Sequence, residues 1–130
     1  MTWSFDDNLP IYLQIIRILK YELARGKYQP GEKLPAVREL AMTAGVNPNT
    51  IQKALAELER DGLVKSQRTA GRFVTDDKEK IMEVAKTLAY DEIARMVENI
   101  SSLGYAESCA RYTMPFLKKI FRIFLDMGMS

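Results

Sequence analysis

Residues 45–51 read Gly-Val-Asn-Pro-Asn-Thr-Ile, a stretch in which nearly every position restricts the backbone. Gly45 suits the left-handed conformation that ends a helix without steric cost. Asn47 is a strong N-cap, and Pro48 fits the first helical position because its missing N–H would be unpaired there anyway. Val46 and Ile51 occupy the two positions of a hydrophobic staple, which fixes the angle at which chain enters helix. One helix therefore ends at Gly45 and another starts at once, after a sharp turn.

The flanking segments supply the rest of the architecture. After Asn8 and Pro10, Ile11, Ile15, Ile18, Leu19 and Leu23 recur at helical spacing up to Gly26. Tyr28-Gln-Pro-Gly-Glu-Lys is a turn cluster. A second helix follows Pro35, with Val37, Leu40 and Ala41 inward and Arg38 and Glu39 exposed. The third carries Ile51, Ala54, Leu55 and Leu58 inward as far as Gly62. Its opposite stripe is Asn49, Gln52, Lys53 and Ala56, with Thr50 beside it. Leu63–Ser66 and Arg72–Thr75 are strand-like runs around Gln67-Arg68-Thr69-Ala70-Gly71, a small hairpin with a basic tip. From Asp77 the pattern is helical again, through Ile81, Val84, Ala85, Leu88, Ile93, Met96, Val97, Ile100 and Leu103 to Gly104. A last segment runs from Tyr105 towards Met127 and is expected to break or bend at Pro115. The fold class is mainly α with a small β-hairpin. Residues 1–75 form a winged helix-turn-helix head, and residues 76–130 a two-helix C-terminal dimerisation tail, with the boundary at Thr75-Asp76-Asp77.

Composition narrows the function. A chain of 130 residues, 47% hydrophobic and 28% charged, suits one domain or a small domain with an extension. The sequence has no histidine, which removes every Ser-His-Asp and Cys-His arrangement and the commonest metal ligand. The single cysteine, Cys109, has no partner for an intramolecular disulfide or a zinc site. No Gly-rich phosphate loop or titratable cluster points to an enzyme, and no cofactor is implied. The N-terminus has acids where a signal peptide needs a basic region, and Met114–Met129 is too charged to span a bilayer. A reducing, cytoplasmic location is expected. Residues 1–75 carry eleven Lys/Arg against eight Asp/Glu, and residues 76–130 eight against nine. From Gly62 to Thr75 there are Lys65, Arg68 and Arg72 and no acid, which suits a local contact with a polyanion.

Helix, helix, sharp turn, helix and basic hairpin place the third helix as the element that enters a DNA major groove by its N-terminal end. Asn and Gln present donors and acceptors to base edges, Lys53 reaches a guanine edge or a phosphate, and Thr50 binds either. From Pro10 to Val74 the sequence closely resembles the GntR family of bacterial transcription regulators. The resemblance rests on Pro30-Gly31-Glu32-Lys33-Leu34-Pro35, Arg38-Glu39-Leu40-Ala41, Val46-Asn47-Pro48-Asn49-Thr50 and Leu58-Glu59-Arg60-Asp61-Gly62-Leu63-Val64. The Asn-Pro-Asn-Thr turn and the short tail resemble the YtrA subgroup, which implies two dimerising C-terminal helices, no large effector pocket and repression. It implies DNA contacts from Arg38, Asn47, Asn49, Thr50, Gln52 and Lys53, and from the wing at Gly71 with Arg68 and Arg72 as basic neighbours. Three residues depart from the pattern. Ala36 replaces a usual serine and removes a side-chain cap, Pro48 replaces a common arginine, and Thr69 replaces the first wing glycine.

The tail carries more apolar surface than two helices can hide from water, so Ile81, Leu88, Met96, Ile100, Phe116, Ile120 and Phe124 are expected to pair across a two-fold axis. The partners are therefore double-stranded DNA and a second copy of the chain, without a membrane. A small-molecule effector is compatible with the sequence but not indicated by it. Each reading has a competitor: a solvated polar face for the third helix, an intramolecular ion pair for Arg38, a merely soluble hairpin tip for the wing. The competing function is a winged-helix protein-interaction module that never touches DNA. Its face would show apolar residues where Asn49, Gln52 and Lys53 stand.

Overall fold

The computed structural model describes residues 3–104 and 106–126, with the side chains of 106–110, 112, 113, 121, 124 and 125 outside the description. The elements are α1 (Ile11–Ala24), α2 (Val37–Ala44), α3 (Pro48–Arg60), β1 (Val64–Gln67), β2 (Gly71–Val74), α4 (Lys78–Ser102) and α5 (Ala106–Asp126). The chain forms two compact units, the first ending at Leu88 and the second starting at Ala89.

In the first unit the apolar stripes of the three short helices converge. Ile15, Leu19 and Leu23 of α1 meet Leu40, Ala41 and Ala44 of α2 and Ile51, Ala54, Leu55 and Leu58 of α3. The four α3 residues are wholly buried, each large one contributing about 1.5–3 kcal/mol relative to exposure. Ile11, expected to face inward, is 45% exposed, because it lies one turn ahead of the packed stripe and runs past the core. Trp3 and Phe5 close the core from the N-terminal side. Gln14 ties that segment down, accepting from the Asp6 amide at 2.7 Å and donating to the Asp6 and Leu9 carbonyls.

β1 and β2 pair antiparallel, Val64 opposite Val74 and Gln67 opposite Gly71. The loop is therefore Arg68-Thr69-Ala70, and the strands sit one residue closer to the tip than the sequence pattern placed them. The far edge of β2 is also paired. Leu34 N donates to Arg72 O at 2.8 Å, Val74 N to Glu32 O at 2.8 Å and Gly31 N to Val74 O at 3.1 Å. Residues 31–34, the first three of them read from sequence as part of a turn, thus flank the wing.

Asp77 starts α4, its Oδ1 accepting from the amides of Glu79 and Lys80. Ile81 and Val84 then pack against the core, and Leu88 is buried. Secondary structure changes at Thr75–Asp77, as read from the sequence, while the compact unit continues to Leu88. In the second unit α5 runs unbroken through Pro115. Pro115 forfeits one hydrogen bond to the preceding turn, and the helical residues on either side are numerous enough to carry the element across it. No helix among the described residues is long and apolar enough to cross a membrane.

Candidate nucleic-acid interface

The candidate face starts at the turn into α3. Gly45 has φ +68°, and its amide donates to the Ala41 carbonyl, ending α2. Asn47 Oδ1 accepts from Asn49 N at 2.8 Å, and Pro48 takes the first helical position. Val46 packs against the core and Ile51 is fully buried, as the two positions of a staple require. Since its oxygen is engaged as a cap, Asn47 has only its amide NH2 left for an outside acceptor. α2 has no such device: Ala36 makes no side-chain cap.

With Ile51, Leu55 and Leu58 turned inward, Asn49, Gln52 and Lys53 stand on the exposed side of α3 and Thr50 is half-buried. The first turn contains no acid. The unpaired amides at this end carry a partial positive charge that favours phosphate. Lys53 does not hang free. Its Nζ lies 3.7 Å from the centre of the Tyr12 ring on α1, a cation–π contact. Tyr12 had no signal in the sequence, because only the packing of α1 on α3 brings it there.

Arg38 is exposed on α2 and makes no ion pair among the described residues. The wing tip, Arg68 to Ala70, is exposed throughout, with Ala70 N donating to Gln67 O at 3.2 Å. Gly71 has φ +106°, a left-handed backbone that favours glycine, while the nearest neighbour of a Cβ there, Lys33 Cε at 3.0 Å, is the far end of a flexible side chain that can yield. Arg72 leans the other way. Its Nη1 is 3.5 Å from Gln52 Oε1, and its Nε is buried with no hydrogen-bond partner. Lys65 lies 3.9 Å from Asp76, both well exposed, and such a pair is weak. The structure thus gathers Asn49, Gln52, Lys53 and Arg72 around the exposed face of α3.

The residues expected to pair the tails divide. Ile81 is half-buried against the core of the first unit and Leu88 is 8% exposed, so both are largely covered within one chain. Their positions in the unbroken apolar stripe gave no sign of this. Met96 and Ile100 are half-buried, while Phe116 and Ile120 remain exposed together with Ile93, Val97, Met114 and Ile123. Phe124 and Cys109 lie outside the described side chains.

A profile of the family "Bacterial regulatory proteins, gntR family" matches residues 11–74. The HTH-type transcriptional repressor YtrA of Bacillus subtilis (strain 168) is 38% identical over 91 residues, which cover 69% of this chain and 70% of that protein. A GntR family transcriptional regulator from Listeria monocytogenes is 36% identical, with a TM-score of 0.77 over 88% of this chain and 98% of its own. AraR(DBD), solved in complex with operator ORX1, is 30% identical, with a TM-score of 0.53 over 58% of this chain and 95% of its own.

Proposed function

Because the chain belongs to the GntR family of bacterial regulatory proteins and is a DNA-binding transcription regulator rather than an enzyme, we propose that it represses transcription by binding a near-palindromic operator as a homodimer in the cytoplasm. The observation that carries this reading is the exposed face of α3, free of acid in its first turn and joined by Arg72 from the wing. The N-terminal half of α3 enters the major groove. Asn49 and Gln52 read base edges, and Thr50 and the Asn47 amide bind the backbone. Lys53, held over Tyr12, meets a phosphate. Arg38 and Arg68 grip phosphates on either side, and the Gly71 backbone lies against the duplex. AraR(DBD), in complex with its operator, supports the DNA partner, and YtrA, a repressor, supports the sign of the effect.

Homodimerisation follows from the apolar side chains left exposed in the second unit. Exposed Phe116 and Ile120 and half-buried Met96 and Ile100 form the pairing surface, with Ile81 and Leu88 lending only what the first unit leaves uncovered; Phe124, whose side chain is outside the description, is assigned to it from the sequence alone. Two recognition helices then sit about one helical turn of DNA apart.

Asn49→Ala and Gln52→Ala should each weaken specific binding by about 1–3 kcal/mol and leave binding to unrelated duplex nearly unchanged. Titration on the chain's own promoter DNA and on a scrambled duplex decides this. Unaltered promoter affinity in both folded variants would remove α3 as the reading element.

A further inference from the structure

Arg72 stands on β2 and Gln52 on α3, with the arginine Nη1 at 3.5 Å from the glutamine Oε1. A guanidinium only donates, so the oxygen of the Gln52 carboxamide, and not its NH2, must face it. The arginine is not a loose probe. Its backbone is paired to Ser66 on one side and its carbonyl accepts from Leu34 N at 2.8 Å on the other. Its Nε is buried against the protein with no partner, so the side chain is drawn down onto the molecule and not extended from the wing.

We propose that Arg72 is a positioning residue for base recognition: by engaging the Gln52 oxygen it turns the Gln52 NH2 outward, so that Gln52 selects a base edge rich in acceptors, guanine or thymine, over adenine. This rests on the reading of α3 as the element in the major groove. A free glutamine matches adenine by donating to N7 while accepting from the N6 amino group. With its oxygen held by a cation, Gln52 keeps its two donors for the groove. Guanine offers N7 and O6 there and thymine O4, whereas adenine adds an N6 donor that an NH2 group meets unfavourably.

The test uses the full chain on a pool of randomised duplexes, sequencing the bound fraction for the native protein, Gln52→Ala, Arg72→Met, Arg72→Lys and the double variant Gln52→Ala/Arg72→Met. Thermal unfolding confirms that each is folded. Expected is one position per half-site where guanine or thymine is favoured and where Gln52→Ala removes the preference. Arg72→Met should shift that position alone towards adenine by about tenfold, Arg72→Lys should retain the native preference, and the double variant should match Gln52→Ala there. The inference is overturned if the Gln52-dependent position already favours adenine. It is equally overturned if Arg72→Met lowers affinity evenly on all sequences, as loss of a simple phosphate ligand would. Binding with no Gln52-dependent position at all would overturn the placement of α3 as well.

Discussion

Asn47 accepts the amide of Asn49, and that single bond sets the first turn of the helix bearing the candidate contacts. Asn47→Ala should destabilise the chain by about 1 kcal/mol, whereas Asn47→Asp keeps the cap and the stability. The aspartate would place a negative charge where phosphate is expected, so operator affinity should fall without a change in the urea midpoint. Equal losses of stability in the two variants would contradict the cap. At this scale the sequence was highly legible, since Gly45, Asn47 and Pro48 act on backbone within a few residues of themselves. The contacts of Lys53 with Tyr12 and of Arg72 with Gln52 were not. Each joins side chains on different elements, and no local pattern records which neighbour packing will supply.

At the scale of elements, the wing separates two kinds of arginine. Arg68 projects from the exposed tip, while Arg72 is turned onto α3. Arg68→Ala should therefore flatten the salt dependence of operator binding by roughly one unit of slope, and Arg72→Met by clearly less. Affinities measured across a salt series check this, and equal slopes for the two variants would show both arginines to be phosphate ligands. The hairpin itself was readable from its two apolar-ended runs and its turn residues. The pairing of residues 31–34 with β2 was hidden, because Pro30-Gly31 signals a turn and so short a bridge shows no alternation. Of the two outcomes expected at Pro115, a break does not occur: a residue that usually ends a helix is carried inside one of 21 residues.

For the whole molecule, the place where secondary structure changes differs from the place where compactness does. The end of the second strand was legible to within one residue, at Val74 where Thr75 was expected, but the stripe from Ile81 to Leu103 reads as one continuous face. Only the packing of Ile81 and Val84 and the burial of Leu88 assign its first turns to the reading unit. A chain ending at Leu88 should consequently be a folded monomer that binds a single half-site but binds the full operator far more weakly than the intact protein. A chain ending at Thr75 should be less stable, each lost side chain costing up to about 1.5–3 kcal/mol. Light scattering, thermal unfolding and titration on half and full sites test both. A dimeric Leu88-ended chain would remove the second unit from pairing.

The bonds that join Val74 to Glu32 and Gly31 have a topological consequence. They tie off a loop of roughly forty residues that contains all of α2 and α3, a closure whose entropic cost grows only with the logarithm of its length. The two helices of the turn motif thus lie between the two segments that this pairing joins, and the wing is anchored to the protein at both ends of that motif.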